Sequence, residues 1–324
     1  MTGRRELLGV AGAFCFLPAG TGVAQTAGRV YRLGILRASA PAPERPALLE
    51  TLRELGYAEH RNLVIEQRFA RGRFERLDTL AREMIALRVD VFLCVGAAAV
   101  RAAREATSTI PIIMFGNFDP IALGLVTNLA RPEANVTGIL ISADGTLAAK
   151  RLELLREVVP RAARIAILAP EDPDFQIQLE ETRKAAALLK VGLDVVEARG
   201  GDYAGAFVKL GVLRPEALVV GAHNFFMQDR KPIIALAAKY RIPAVYEWAE
   251  QVRDGGLMAY GTSLDGLNAR LAIYADQLFR GKKPADIPVE QPTTFGVALN
   301  LKTARALGLT IPQSLLLRAD EVIQ

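Results

Sequence analysis

The sequence predicts an α/β protein made of two lobes, each built around a parallel sheet. Two observations support this prediction: short apolar runs alternate with amphipathic stretches from Val30 onward, and the alternation restarts near residue 145. Strand–helix alternation of this kind requires right-handed crossovers, which place neighbouring strands parallel. Each block is about 115 residues long, an ordinary size for a domain.

The first block predicts five strands and three helices. Its apolar runs are short enough for strands, the second run alternates in polarity, and Gly56 is a typical residue to end the first helix. The predicted strands are 30–37, 62–70, 89–95, 109–115 and 135–142, and the predicted helices are 44–56, 76–88 and 98–106.

The second block repeats the pattern, and it is followed by a long helix and a proline-bounded segment, 284–295, before a last strand and helix. The predicted helices are 145–158, 175–190, 203–211, 228–240 and 264–280, and the predicted strands are 164–169, 193–198, 217–221, 242–247 and 256–261.

The N-terminus has the three parts of an export signal. Arg4 and Arg5 precede an apolar run over 7–17, and small residues lead to a predicted cleavage site after Ala24. The paired arginines leave the Sec and twin-arginine routes both open. An uncleaved membrane anchor is the alternative, but eleven apolar residues are short for a membrane span. We therefore expect residues 1–24 to be a cleaved signal peptide and the protein to be periplasmic.

The two cysteines predict no internal disulfide. Cys15 lies in the predicted signal peptide, so only Cys94 remains in the exported chain. Cys94 lies inside an apolar run, and burial among apolar side chains raises the pKa of a thiol. We expect it to be a core residue rather than a reactive group.

Composition and motifs argue against several classes of function. The formal charge of +5 is spread along the chain, which disfavours nucleic-acid binding. No glycine-rich dinucleotide loop, Walker loop, nucleophile elbow or zinc-protease motif is present. The histidines are His60 and His223, far apart in the chain. We therefore predict that the protein is not an enzyme and has neither a cofactor nor a metal site.

The residues just beyond the predicted strand ends form the candidate ligand site. Ligands of open α/β sheets bind beyond the carboxyl ends of the strands, and these short segments hold aromatic side chains, the only tryptophan included. Two apposed lobes would give a cleft with flat apolar walls and a few polar groups; the alternative is that the aromatic residues plug the strand ends. The predicted ligand-binding residues are Ser39, Gly96, Ala97, Asn117, Phe118, Ser142, His223, Asn224, Tyr246, Glu247, Trp248 and Thr262.

Three further expectations concern this cleft. The helix that starts after Gly96 offers free N–H groups to a ligand carboxylate, or is simply a close-packed junction of small residues; the sequence leaves both open. Asp119 is expected to cap a helix begun by Pro120. Phe118 and Trp248 are expected to sandwich the ligand from opposite lobes.

Several segments together resemble a family, the substrate-binding proteins of bacterial ATP-binding-cassette transporters, in the group with tryptophan- and phenylalanine-binding members. The similarity extends from about Val30 to Ile323. It is carried by LRELGYAEHRNLVIEQRFARGRFERL, ATSTIPIIMFGNFDPIALGLVTNLARPEANVTGI, KRLELLREVVP, GGLMAYG and KPADIPVEQPTTFGVALNLKTARALGL.

The resemblance implies a type I periplasmic binding protein fold, in which two Rossmann-like lobes are joined by a three-segment hinge. We place the hinge segments near 141–145, 260–264 and 290–295. The expected first lobe is then 29–141 plus 264–291, and the expected second lobe is 145–260 plus 295–324.

The resemblance also implies a function: a monomer that captures a small-molecule ligand in the periplasm and delivers it to a permease in the inner membrane. A ligand-sensing subunit and a hydrolase of the same architecture are the alternatives. Amino-acid-binding members tend to carry acids in the second lobe, where this chain has His223 and Trp248, leaving Glu247 and Glu250 as substitutes. An aromatic or branched carboxylate is therefore the expected ligand, with an amino acid as the alternative.

Overall fold

Within residues 29–40, 46–132 and 134–324, which the computed structural model describes, the strands form two sheets. The predicted signal peptide, with Arg4, Arg5, Cys15 and Ala24, lies outside the described residues. The first sheet has the order β2-β1-β3-β4-β5, and all its neighbouring strands pair parallel. Its strands are β1 (Tyr31–Arg37), β2 (Leu63–Phe69), β3 (Val91–Val95), β4 (Ile112–Gly116) and β5 (Val136–Leu140).

The second sheet has the order β12-β11-β10-β9-β8-β6-β7. Every neighbouring pair in it is parallel except β10 with β11. Its strands are β6 (Arg164–Pro170), β7 (Gly192–Ala198), β8 (Ala217–Val220), β9 (Ala244–Tyr246), β10 (Met258–Gly261), β11 (Gly296–Asn300) and β12 (Glu321–Ile323).

Helices cover both sheets, and no helix among the described residues is long and apolar enough to cross a membrane. They are α1 (Pro46–Glu54), α2 (Leu77–Ala86), α3 (Ala97–Ala106), α4 (Thr146–Val158), α5 (Gln176–Leu188), α6 (Tyr203–Leu213), α7 (Asn224–Gln228), α8 (Arg230–Lys239), α9 (Ala249–Arg253), α10 (Leu264–Phe279), α11 (Leu301–Leu307) and α12 (Gln313–Leu316).

The chain passes between the two sheets at three places. It leaves the first sheet after β5, returns after β10 to place α10 against α1, and leaves again before β11. These crossings confirm the type I fold with a three-segment hinge, while the exact lobe boundaries stay a prediction.

Glu290 holds the third crossing segment against β5. Its N–H donates to Gly138 O at 2.9 Å, and its carbonyl accepts from the N–H of Leu140 at 2.9 Å. The Arg270 guanidinium binds its carboxylate, and that hydrogen bond holds the pKa of Glu290 below its ordinary value. The backbone around Glu290 therefore runs parallel to β5, in the direction of the second lobe.

The direction of the third crossing explains the antiparallel pairing of β10 with β11 in a sheet whose other neighbouring strands are parallel. β10 runs toward the first lobe, whereas the chain after Glu290 enters β11 from the side of the first lobe. β11 must therefore run opposite to β10.

Each sheet has an apolar core on both faces. Every residue of β3 is buried, and Cys94 is fully buried in it among Leu80, Met84 and Val100. Burial raises the pKa of the Cys94 thiol. The prediction that Cys94 is a core residue is confirmed.

Local differences from the predicted elements lie at strand ends and at the C-terminus. The predicted loops after β8 and β9 are the one-turn helices α7 and α9, and β12 had no counterpart in the prediction. The expected helix after Asp119 is also wrong, because residues 120–124 form turns. Asp119 does cap them, since its carboxylate accepts from the N–H groups of Ile121 and Ala122 at 2.8 and 3.1 Å.

Gly138 is the position in the first sheet where a side chain is least tolerable. Its φ is +147°, and a Cβ there would lie 2.1 Å from the carbonyl oxygen of Met114 on β4. Gly138→Ala should lower the free energy of unfolding by about 3 kcal/mol or more, because backbone strain and steric overlap add. Urea unfolding followed by circular dichroism measures the loss.

Gly72→Ala is the matched control for this substitution. Gly72 also has positive φ, +80°, but a Cβ there has no neighbour within 4 Å. Gly72→Ala is expected to lower the free energy of unfolding by about 1–2 kcal/mol, because only backbone strain contributes. Equal losses at the two positions would contradict the role assigned to the collision with Met114.

Candidate ligand-binding site

A cavity of about 240 Å³ lies between the two lobes. Both sheets direct the carboxyl ends of strands at it, as Arg37 ends β1, Asn117 follows β4 and Glu247 follows β9. The cavity therefore lies where an open α/β sheet is expected to bind a ligand. Its lining residues are Arg37, Pro46, Phe115, Asn117, Ile141, His223, Asn224, Met227, Gln228, Arg230, Glu247, Trp248, Glu250, Arg253, Leu264, Asp265 and Asn268.

Glu247 is the buried acid of this cavity. Its residue is 4% exposed, and its Oε1 accepts a hydrogen bond from Nδ2 of Asn117, in the opposite lobe, at 2.8 Å. Nη2 of Arg151, on α4, lies 3.7 Å from the same oxygen. Nε of Arg151 donates to the carbonyl of Tyr260 at 2.8 Å. Glu247 thus joins the first lobe to Arg151 and, through Arg151, to the end of β10.

Burial is the largest influence on the pKa values of both Glu247 and Arg151. It raises the pKa of Glu247, and the charge of Arg151 and the hydrogen bond from Asn117 oppose that rise. Burial likewise lowers the pKa of Arg151, against the charge of Glu247. Each charge therefore depends on the other for its stability inside the protein.

The arginines of the cavity differ in burial and in partners. Arg37 is 7% exposed, so its guanidinium lies in a largely water-free part of the site. Nε of Arg230 donates to Asp254 at 2.7 Å. Arg253 makes two hydrogen bonds to Glu321, at 2.8 and 2.7 Å, and its side chain is 52% exposed. Arg37 is therefore the most deeply buried cation on this cavity.

A second, smaller cavity of about 30 Å³ lies beside the first and is lined by Gly96, Ala97 and Phe118, among others. This volume suits about one water molecule, not an organic ligand. The N-terminus of α3 faces this small cavity, whereas the 240 Å³ cavity has no lining residue from α3. The geometry favours the packing interpretation of Gly96 and Ala97 over carboxylate binding.

His223 and Asp172 are hydrogen-bonded at the wall of the small cavity, with 2.9 Å between Nε2 and Oδ2. Burial alone would raise the pKa of Asp172. The hydrogen bond and charge of His223, the N–H of Asp174 and the charge of Arg101 outweigh it and hold that pKa below its ordinary value. His223 is thus oriented by Asp172 while it also lines the larger cavity.

The two lobes are in direct contact around the cavity. Arg101 on α3 makes two hydrogen bonds to Asp174 of the second lobe, at 3.2 and 2.9 Å. Phe74 and Phe225 meet edge to face with 6.3 Å between ring centroids. Trp248, 3% exposed, packs into the core cluster that contains Leu33 and Leu271 of the first lobe. These contacts describe a closed arrangement.

The structure brings five of the predicted residues together on the 240 Å³ cavity: Asn117, His223, Asn224, Glu247 and Trp248. Gly96, Ala97 and Phe118 line only the small cavity. Ser39, Ser142, Tyr246 and Thr262 line neither. That these five residues bind a ligand stays a prediction.

Tyr246 and Thr262 lie away from the 240 Å³ cavity for different reasons. Tyr246 is still within β9, so its side chain alternates away from Val245 and is buried in the core cluster with Phe207 and Ile233. Thr262 lines a separate surface cavity next to Phe295. Neither residue lines the 240 Å³ cavity, and their binding to a ligand stays a prediction.

Ser39 and Ser142 are also corrected, and both are buried. The Ser142 hydroxyl donates to Asp144 at 3.2 Å, within the first crossing segment. The Ser39 hydroxyl has no hydrogen-bond partner among the described residues, and its carbonyl accepts from the N–H of Arg71 at 3.3 Å. The Ser142 side chain thus serves local structure, whereas Ser39 does so through its backbone carbonyl.

The expected sandwich of Phe118 and Trp248 is not formed. Phe118 is 2% exposed and turns back onto Gly116, where a Cβ would lie 3.0 Å from its ring. Trp248 lines the 240 Å³ cavity, and Phe115, from within β4, is the first-lobe aromatic residue on that cavity.

Sequence reasoning missed three groups of lining residues. Arg37 was overlooked because it was counted as the last residue of the predicted strand 30–37, although an arginine at the end of a buried strand is a detectable signal. Asp265 and Asn268 lie on the first turns of α10, whose side chains were not considered as ligand contacts. Met227 and Arg230 depend on α7 and its junction with α8, which the sequence did not predict.

The family model for the ABC transporter substrate binding proteins matches residues 37–323. The chain belongs to this family. This substrate-binding protein is 25% identical over 269 residues to a tyrosine-binding protein of Clostridioides difficile, covering 82% of this chain and 76% of that protein.

Two solved structures show the same fold. One is an ABC domain from Streptococcus pneumonia in complex with L-Trp, at 24% identity and a TM-score of 0.79. The other is the ligand-free, open structure of a substrate binding protein with adhesive properties from Clostridium difficile, at 23% identity and a TM-score of 0.58. In both comparisons 91% of this chain and 100% of the other chain are covered.

Trp248 should report on this cavity in solution. Because it is the only tryptophan and lies at the lobe boundary, ligand-induced closure should shift its fluorescence emission to shorter wavelength. Trp248→Ala should weaken binding more than tenfold, since it removes a large apolar wall. Titration calorimetry measures the affinity.

Phe118→Leu is the matched control, because Phe118 is equally buried but lies off the 240 Å³ cavity. Its effect on affinity should stay below threefold. An unchanged Trp248 emission at saturating ligand, or equal losses for the two variants, would speak against this assignment of the cavity walls.

Proposed function

We propose that this protein is the periplasmic solute-binding component of an ABC importer and captures a small aromatic or branched carboxylate. The observation that carries the proposal is the 240 Å³ cavity enclosed between the carboxyl ends of two sheets. Its volume is just below the ~300 Å³ lower end of ordinary small-molecule sites, which suits a ligand of amino-acid size.

The cavity walls support the ligand class. Trp248, Phe115 and Ile141 supply flat and branched apolar surface, and such surface favours an aromatic ring or a branched chain. Arg37 supplies a buried guanidinium, which pairs with carboxylates in a bidentate geometry. The carboxylate end of the ligand is therefore assigned to Arg37 and the apolar end to the side of Trp248.

Capture works by closure of the two lobes. The contacts between Asn117 and Glu247 and between Arg101 and Asp174 exist only when the lobes meet, so a ligand that binds both lobes favours the closed state. The closed form is the one proposed to dock, as a monomer, on a permease in the inner membrane.

The ligand class is tested by paired compounds that differ by the α-ammonium alone. 3-Phenylpropionate against L-phenylalanine and 4-methylpentanoate against L-leucine are suitable pairs, with glucose as an unrelated solute. Thermal shift should report a rise in Tm for the carboxylates, because a ligand of the folded state stabilises it by mass action. Calorimetry then gives the Kd. A response confined to the sugar would refute the ligand class, and steady-state turnover of a bound compound would favour a hydrolase.

Arg37→Gln tests whether Arg37 binds the carboxylate of the ligand. Loss of the guanidinium should weaken carboxylate binding at least tenfold, in line with hydrogen bonds to charged groups. Arg32→Gln is the matched variant on the same strand, because Arg32 pairs with Glu66 away from the cavity. If Arg37→Gln binds carboxylates as tightly as the wild type, Arg37 does not bind the ligand carboxylate.

Export is tested on the protein recovered from the periplasm. Intact mass and N-terminal sequencing should place the mature start near Gln25, since a signal peptide is removed after its small-residue site. A chain found in the cytoplasm with residues 1–24 attached would contradict the proposed location.

A further inference from the structure

Glu247, the buried acid among those that line the cavity, is already neutralised from inside the protein. Glu247 is 4% exposed, and the Arg151 guanidinium lies 3.7 Å from its Oε1. An uncompensated buried carboxylate would attract a ligand ammonium strongly, because a buried charge needs an opposite charge. Here the opposite charge belongs to the chain itself.

Arg151 is fixed in position by burial and by a hydrogen bond from its guanidinium. It is 2% exposed on α4, and its Nε is bound to the carbonyl of Tyr260 at 2.8 Å. Its Nη2 has no hydrogen-bond partner among the described residues, and Glu247 is its ion-pair partner there. Arg151 does not line the cavity, so any effect of it on a ligand passes through Glu247.

The other groups near Glu247 also favour its anionic form without supplying another negative charge. Asn117 donates to Oε1 at 2.8 Å. His223, which also lines the cavity, is hydrogen-bonded to Asp172 at 2.9 Å. The contacts of Glu247 with Arg151 and Asn117 thus supply a positive charge and a neutral donor, and neither adds a negative charge.

We propose that Arg151 is a positioning residue that sets the charge selectivity of the site: by neutralising Glu247 it makes the cavity accept carboxylates that lack an α-ammonium and disfavour amino acids. A ligand ammonium beside Glu247 would compete with Arg151 and be repelled by it. This inference rests on the proposed function, since it refines the ligand class of the same cavity.

The test compares selectivity in variants of Arg151. Arg151→Met removes the charge and keeps much of the side-chain length, whereas Arg151→Lys retains the charge. The readout is the ratio of Kd for L-phenylalanine to Kd for 3-phenylpropionate, measured by calorimetry. We expect this ratio to fall at least tenfold in Arg151→Met and to change less than threefold in Arg151→Lys. Loss of structure alone would weaken both ligands together and leave the ratio unchanged.

Glu247→Gln tests the same proposal if Arg151→Met fails to fold, as judged by circular dichroism and Tm. This variant leaves Arg151 without its anion, so the ratio should rise at least tenfold. In the double variant Arg151→Met/Glu247→Gln, the fall in the Kd ratio seen with Arg151→Met should disappear, because the carboxylate that Arg151 neutralises is absent.

The outcomes separate this inference from the proposed function. A wild-type protein that binds none of the organic carboxylates would overturn both. A wild-type preference for carboxylates with an unchanged ratio in Arg151→Met and Glu247→Gln would overturn the selectivity role of Arg151 alone. A wild-type preference for L-phenylalanine over 3-phenylpropionate would also overturn it.

Discussion

Glu247 is the residue on which the closed arrangement of this protein depends. A carboxylate at 4% exposure is stable only with partners, and its partners come from both lobes: Asn117 from the first and Arg151 from the second. Arg151 in turn binds the carbonyl of Tyr260 beside the second crossing segment. A single buried charge therefore connects the ligand cavity, the contact between the lobes and the hinge.

Strand direction explains why these groups meet. Within the first sheet all strands run the same way, and in the second sheet β6, β8, β9 and β10 do so too. The residues that follow these strands therefore gather at one edge of each sheet, and the three crossings hold the two edges face to face. Polar side chains that are distant in sequence, such as Asn117 and Glu247, become neighbours for this reason.

The architecture was largely predictable from the sequence, because the spacing of apolar residues along the chain indicates which segments are buried strands and which are helices. The apolar run at Cys94 becomes a wholly buried strand, and the alternation that restarts near residue 145 becomes a second sheet. Membership of the ABC substrate-binding family was also predictable, since the motifs that carry it span nearly the whole chain.

The site was less predictable, because the position of a residue near a strand end does not show which cavity its side chain faces. Arg37 and Tyr246 are the last residues of β1 and β9. Arg37 lines the 240 Å³ cavity but was left out of the predicted site, whereas Tyr246 is buried in the core but was included in it. Asn268 reaches the cavity through the long-range docking of α10 onto α1, and no local pattern reports such a contact. The pairing of Arg151 with Glu247 joins residues that are far apart in sequence for the same reason.

The return of the chain to the first sheet at Glu290 has a consequence for biosynthesis. The β5 edge of that sheet gains its hydrogen bonds to Glu290, and α1 gains its packing against α10, only after most of the polypeptide has emerged from the ribosome. The last strands of the second sheet, β11 and β12, come later still. Neither half can therefore finish folding on a nascent chain that ends before Glu290, and a stop codon before that residue would leave both lobes incomplete rather than yield one intact lobe.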